Sequence, residues 1–227
     1  MKLAILDYGS GNLRSVEQAV RRAAYDVSAE TNQPEISVSV TNLAEDASKS
    51  DFIILPGVGH FADCWSSLRA TDGMLELLDQ QILKGGKPFL GICVGMQLMA
   101  NRGFEGVETK GLGWIDGDVI SLKGGVDDTG SVLKIPHMGW NRVQFQQADH
   151  ALCAGLQDGD QLYFLHSYYM RLHKSATGLD SAIAFTNYGE DVTAMVARDN
   201  ICGMQFHPEK SQRLGQQCLR NFLSWRP

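Results

Sequence analysis

Short apolar runs and helical patterns alternate through the first hundred residues, which confines the chain to folds built on a parallel sheet wrapped by helices. Lys2 to Tyr8 reads as a strand. Leu13, Val16, Ala19, Val20 and Ala23 then recur at helical spacing behind Asn12, a candidate cap. Ile36, Val38 and Val40 alternate as a half-buried strand, and Asp51 to Leu55 reads as a buried one ending in the turn Pro56-Gly57-Val58-Gly59. Met74, Leu75, Leu78 and Ile82 mark a further helix, stopped by Gly85-Gly86. Pro88 opens the strand Pro88 to Ile92, and Val94 to Ala100 favours helix. In such a sheet, ligands gather at the C-terminal ends of the strands.

From Gly111 to Arg198 the pattern changes to short, turn-rich segments, among them Val119-Ile120, Val132 to Ile135, Val143 to Phe145 and Tyr163 to Leu165. These are expected to add antiparallel strands. Lys123 to Ser131, with three glycines, is expected to be a surface loop, and the polar stretch from Ala24 towards Asp51 carries the weakest pattern. Ile201 to Phe206 reads as one more buried strand, and Ser211 to Trp225 as a closing helix with Leu214, Cys218, Leu219 and Phe222 on one face. No linker or repeat divides the chain, so residues 1–227 are read as one α/β domain.

Composition excludes several roles. A net charge of -6 leaves no basic surplus for general nucleic-acid or membrane-surface binding. Five cysteines, an odd number without C-x-x-C pairs, suggest neither a disulfide framework nor a zinc site, so a reducing compartment is the expectation. The chain opens in a strand-like run rather than a signal sequence and contains no run of roughly twenty apolar residues, and a cytoplasmic location is expected.

Cys93 lies in Gly91-Ile92-Cys93-Val94-Gly95-Met96-Gln97, where the apolar strand must turn sharply into a helix. Such a turn lifts the side chain out of the sheet, as in a nucleophile elbow, and a helix start favours the thiolate. The alternative is a buried, inert thiol, which is the reading for Cys64, Cys153, Cys202 and Cys218. A thiolate nucleophile needs an imidazole, a group to orient it, and donors for an oxyanion. His207 follows the strand Ile201 to Phe206 and reaches the same sheet edge as Cys93 if the strands are parallel; Glu209, two residues on, can clamp the ring, and Pro208 limits backbone freedom. The glycines of Pro56 to Gly59 let backbone N–H groups turn towards a reacting carbonyl, which assigns the oxyanion hole to Val58, Gly59 and Val94; an ordinary strand-to-helix turn is the alternative.

Together with Asp7 to Ser15, Pro136-His137-Met138-Gly139-Trp140-Asn141, His166-Ser167-Tyr168-Tyr169 and His207-Pro208-Glu209-Lys210-Ser211, these motifs resemble, in order and over nearly the whole chain, the class I (triad type) glutamine amidotransferases. Gly-Asn-Leu-Arg-Ser, Pro-His-Met-Gly-Trp-Asn and His-Ser-Tyr-Tyr resemble in particular the glutaminase subunits of imidazole glycerol phosphate synthase. The resemblance implies a flavodoxin-like three-layer fold, with a mainly parallel central sheet, helices on both faces and added antiparallel strands. It implies that Cys93 attacks the glutamine amide and forms a γ-glutamyl thioester, with His207 moving protons and Glu209 orienting it. Gly57, Gln97, His166, Ser167 and Tyr168 would hold the amino-acid end of glutamine. Gln97 as a solvated helix residue, His166 as a core histidine and Tyr168 as a half-buried strand aromatic are the plainer alternatives. No cofactor or metal is expected.

The resemblance also implies a partner, because ammonia released into water is mostly protonated and this chain shows no P-loop or G-x-G-x-x-G fingerprint with which to consume it. The implied partner is a (β/α)8-barrel cyclase that takes ammonia through its interior and yields imidazole glycerol phosphate and an aminoimidazole carboxamide ribotide. Lys210 would form an ion pair to that barrel, and Asn12, Trp140 and Tyr163 match contact positions. A solvated lysine and two core aromatics are the alternatives. Gly57 and Gly59 beside Val58 make a peptide flip cheap, so the oxyanion amides are expected to turn into place only when the loaded partner is bound. Competing functions are a paralogous amidotransferase subunit feeding a sugar-modifying synthase, and a non-catalytic module that stabilises a synthase using free ammonia.

Overall fold

A computed structural model describes residues 1–32, 34–126, 130–173 and 181–227. Strands β1 (Lys2–Leu6), β2 (Ser37–Thr41), β3 (Phe52–Gly57) and β4 (Phe89–Cys93) alternate with helices α1 (Leu13–Thr31), α2 (Ala44–Ser48), α3 (Phe61–Ala70) and α4 (Met74–Leu78). The helix α5 (Val94–Gln97) follows, then the short strands β5 (Arg102–Gly103), β6 (Thr109–Lys110), β7 (Gly117–Ser121), β8 (Gly125–Val126) and β9 (Val132–Leu133). Strands β10 (His137–Phe145), β11 (Gln161–His166), β12 (Tyr168–Leu172), β13 (Ala182–Asn187), β14 (Asp191–Arg198) and β15 (Ile201–Met204) lead to the closing helix α6 (Gln212–Ser224).

Among the described residues the main sheet has nine strands in the order β11-β10-β13-β14-β15-β4-β3-β1-β2. The five from β15 to β2 run parallel, and the remainder extend the sheet antiparallel. Every residue of β3, β4 and β15 is buried, so these strands carry helices on both faces. One helical group is α1 with α6; the other is α2, α3 and α4. A second sheet, β12-β7-β5-β6, holds the inserted strands, and β8 pairs with β9. The architecture is α/β, three-layered, with the expected antiparallel additions.

Several local expectations change. Helix α1 runs through the polar stretch after Ala24, because Val27 and Ser28 continue the buried seam of Val16, Val20 and Ala23 while Asp26 and Glu30 face outward. Asn12 stands at its N-cap without a side-chain capping bond, and the left-handed Asn32 ends it. Strand β3 extends through Pro56 and Gly57; its pairing with β1 ends at Ile54, so the missing proline N–H breaks no ladder there. The helix from Met74 becomes a single α-turn followed by a wider π-type turn over Asp79–Lys84. The helix after Cys93 is one turn, not the seven residues expected, and Met99 and Ala100 close tighter turns onto Met96 and Gln97. Part of the expected loop at Lys123 to Ser131 pairs as β8 with β9, and 127–129 lie outside the described residues.

Candidate active site

Strand register brings the candidate residues to one edge. Met204 pairs with Ile92 and Gly57 pairs with Cys93, all in parallel strands, so β15, β4 and β3 end side by side. His207 then lies three residues beyond β15, Cys93 ends β4, and Val58-Gly59 leaves β3. Cys93, Val58, Gly59, Val94 and His207 line one cavity of about 250 Å³. That is smaller than the roughly 300–1,000 Å³ of drug-sized sites and suits an amino acid.

Cys93 sits at φ +53° and ψ -112°, outside the regions open to a residue with a side chain, and it is 3% exposed. Strain of this kind costs about 1–3 kcal/mol and persists where the surroundings fix it. Here they do. A Cβ on Gly95 would lie 1.8 Å from the Leu55 carbonyl oxygen, and one on Gly91 would lie 2.6 Å from the Gly95 carbonyl oxygen. The elbow packs backbone against backbone on both sides, which is what its flanking glycines permit. The sulfur faces the Leu165 carbonyl at 3.9 Å and accepts from Gln205 Nε2 at 3.8 Å.

His207 is held from two directions. Its backbone N–H donates to the Tyr163 carbonyl, its carbonyl accepts from Ser211 Oγ at 2.8 Å, and Ser211 Oγ in turn accepts from Tyr163 N–H at 2.9 Å. Its ring Nδ1 meets Glu209 Oε1 at 2.8 Å, with both side chains almost wholly buried at 4% and 1%. Nδ1 is the donor, because an ionised carboxylate only accepts. Nε2 is buried without a hydrogen-bond partner among the described residues, and His207 and Cys93 line the same cavity. Burial pulls the imidazole pKa down, but Cys93 and Glu209 more than offset it and raise it to about 10. The arrangement therefore favours an imidazolium beside sulfur. His207 heads the short 3-10 turn Pro208–Lys210, and its side chain makes no capping bond to that turn.

The Val58 carbonyl is pinned from behind. Ser10 Oγ donates to it at 2.7 Å and Cys64 Sγ approaches at 3.5 Å, while Ser10 Oγ and Cys64 Sγ are 3.0 Å apart. Cys64 is thus a buried thiol packed against the turn; burial raises its pKa.

Gln97, His166, Ser167 and Tyr168 line the same cavity, whereas Gly57 does not. At Gly57 a Cβ would meet Tyr8 Oη at 2.6 Å and Gly95 N at 2.8 Å, so the close packing at the end of β3 requires glycine there. Gln97 is 2% exposed and not a solvated helix residue; its Nε2 donates to the Tyr168 carbonyl at 2.8 Å and to Gln205 Oε1 at 3.1 Å. Sequence reading missed three contributors. Gln205 is buried within what reads as an unremarkable apolar strand, and Glu105 and Pro136 reach the cavity from segments with no periodic signal. Glu105 Oε2 accepts from the Phe61 N–H at 2.7 Å, at the first turn of α3.

Trp140, Tyr163 and Lys210 form one cluster beside His207. Lys210 Nζ lies 5.6 Å from the Tyr163 ring centroid, and the Trp140 and Tyr163 rings meet edge-on at 5.9 Å. Trp140 is 43% exposed, so it is not the core residue that was its plainer alternative. Asn12 is exposed. Among the described residues no helix is long and apolar enough to cross a membrane, and no group of three or more His, Cys, Asp or Glu is placed to hold a metal.

Comparison with known proteins agrees with this architecture. The class-I glutamine amidotransferase family model matches residues 4–225. "Imidazole glycerol phosphate synthase subunit HisH" of Rhodospirillum rubrum is 47% identical over 229 residues, and that of Agrobacterium fabrum is 46% identical over 230, each covering 100% of both chains. Among solved structures, a glutamine amidotransferase superposes with a TM-score of 0.68 at 17% identity, covering 98% of this chain and 97% of that one. Another glutamine amidotransferase, from Thermotoga maritima, superposes with 0.62 at 13%, covering 99% and 96%; at such identities these two speak to the fold alone. With residues 4–225 matched by the family model and the full length by these relatives, the chain belongs to the class-I glutamine amidotransferases and, within them, to the HisH subunits of imidazole glycerol phosphate synthase.

Proposed function

We propose that this chain hydrolyses glutamine at Cys93 and delivers the ammonia to a (β/α)8-barrel cyclase bound as a heterodimer. The reading is carried by one observation: the strained Cys93 shares a cavity with His207, whose Nδ1 is held by Glu209. Cys93 attacks the side-chain amide as thiolate. The imidazolium of His207 gives its Nε2 proton to the leaving nitrogen, ammonia departs, and a γ-glutamyl thioester remains. His207, now neutral, takes a proton from water, which attacks the thioester and releases glutamate. Glu209 keeps Nδ1 as a donor throughout, so Nε2 always faces the reaction.

Val58, Gly59 and Val94 are the backbone donors in this scheme. The expectation that the turn shifts before its amides meet the oxyanion stays part of this reading; the bonds of Ser10 and Cys64 to the Val58 carbonyl are contacts that a flip of the Val58–Gly59 peptide would break. Gln97, His166, Ser167 and Tyr168 bound the amino-acid end, and the Glu105 carboxylate has the charge that the substrate ammonium requires. Lys210, Tyr163 and Trp140, with Asn12, are assigned to the cyclase face. There, ammonia passes unprotonated into a lyase reaction that forms imidazole glycerol phosphate in histidine biosynthesis. Five buried, unpaired cysteines suit a reducing cytoplasm.

The test is substitution of the thiol. Cys93→Ala should abolish glutamine-dependent synthesis by the complex and leave ammonia-dependent synthesis intact. Equal loss of both would contradict the division of labour, and full retention of both would remove Cys93 from the chemistry.

A further inference from the structure

Two buried histidines outside the triad, His137 on β10 and His166 on β11, face each other across the strand pair, with Nδ1 of the first 3.1 Å from Nε2 of the second. The directions of their hydrogen bonds follow from the groups at either end. Asn141 Oδ1 accepts from the Arg142 N–H at 2.8 Å, which fixes the amide, so its Nδ2 donates both to the Asn187 carbonyl at 2.8 Å and to His137 Nε2 at 3.2 Å. At the far end, His166 Nδ1 lies 3.0 Å from the Tyr168 carbonyl, which only accepts. Both ends demand the same polarity: His137 accepts at Nε2 and donates from Nδ1, His166 accepts at Nε2 and donates from Nδ1. Each imidazole is neutral and carries its proton on Nδ1, since a second proton on either ring would set donor against donor. Burial acts in the same direction, lowering the His137 pKa to about 4 and that of His166 to about 3.

The chain of bonds does not stop at Tyr168. Its carbonyl also accepts from Gln97 Nε2, which donates to Gln205 Oε1, and Gln205 Nε2 donates to the Cys93 sulfur. We propose that Asn141, His137 and His166 are positioning residues, a one-directional hydrogen-bond relay that fixes the Tyr168 carbonyl and, through Gln97 and Gln205, the glutamine cradle and the sulfur within it. The relay begins on β10, the strand that carries the exposed Met138 and Trp140, and ends at the Tyr168 carbonyl, where Gln97 donates from the other side and carries the connection through Gln205 to the elbow. A change of position in that strand therefore reaches the sulfur without an intervening flexible segment. The inference deepens the glutaminase reading and rests on it.

The experiment separates the two. His137 is stacked between Phe164 at 4.8 Å and Tyr188 at 4.0 Å, so His137→Phe keeps the stack and removes the relay, whereas His137→Asn keeps a donor near the Nδ1 position. Long-range 1H–15N NMR on the labelled chain, assigned by loss of signals in His137→Phe and His166→Phe, should show both rings neutral and Nδ1-protonated from pH 8 to pH 5. Either ring protonated on Nε2 in that range overturns the relay, whatever the chain's activity. In the complex with its cyclase, His137→Phe should lower kcat/KM for glutamine about tenfold, mainly through KM, the loss of about one neutral hydrogen bond. His137→Asn should recover to within about threefold. Unchanged kcat/KM in His137→Phe, or an equal loss in both variants, overturns the proposal. A wild-type complex that does not hydrolyse glutamine would instead overturn the glutaminase reading, leaving the tautomers as an independent result.

Discussion

Three histidines meet around the candidate site with opposite electrostatics. His207 is raised to about 10 by its sulfur and carboxylate neighbours, while His137 and His166 are lowered to about 4 and about 3 by burial. In the unfolded chain all three titrate near 6.5. The lowered pair leaves the native state binding fewer protons than the unfolded state once pH falls below about 6.5, so stability declines from there to about 4 on account of His137 and to about 3 on account of His166. The raised His207 acts in the other sense: its contribution is complete below 6.5 and is lost as pH rises to about 10. Thermal unfolding of the wild type should therefore weaken between pH 7 and pH 5, and His137→Phe should flatten that decline; a parallel decline in both would remove His137 from it. These residues also mark the limit of what sequence reveals. Cys93, His207 and Glu209 are legible because a thiol between glycines and a His-x-Glu at a strand end are unusual. Gln205 and Glu105 have no unusual neighbours, and only the folded chain brings the first to the Cys93 sulfur and the second to the cavity.

At the scale of elements, the site depends on three adjacent parallel strands ending level and on a turn too tight for side chains. Gly95→Ala would place a methyl group 1.8 Å from the Leu55 carbonyl oxygen of β3, a backbone atom that cannot move aside without disturbing the β3–β4 pairing. We expect it to cost about 3 kcal/mol, the upper end for overpacking. In a chain of this length that lowers the melting temperature by about 6–12 °C, measurable by calorimetry. An unchanged melting temperature would show the elbow to be pliable. The strands that carry this geometry are the ones the sequence announces, because burial on both faces makes them continuous apolar runs. By contrast, β10 spans nine residues and only Val143 to Phe145 reads as strand; its alternating burial includes polar and glycine positions that dilute the pattern. The second half of α1 is obscured in the same way, by the charges on its solvent face.

For the whole molecule, the cluster of Lys210, Tyr163 and Trp140 adjoins His207 through Tyr163, whose carbonyl accepts the His207 backbone N–H. A partner seated on that cluster has a short route to the imidazole. Glutamine turnover by the chain alone should be low and rise with the cyclase and its nucleotide ligand, and Lys210→Ala should reduce that rise while leaving the lone-chain rate unchanged. An undiminished rise would make the lysine a solvated surface residue, and full turnover by the lone chain would end the expectation of partner-dependent activation.

The central claim is that sulfur, imidazole and carboxylate act together at one sheet edge, and labelling the assembled complex with a glutamine-analogue electrophile tests it most directly. Peptide mapping should find the adduct on Cys93 alone among the five cysteines, with labelling slowed about a hundredfold or more in His207→Gln. Labelling of another cysteine, or an undiminished rate on Cys93 in the His207 variant, would contradict the account.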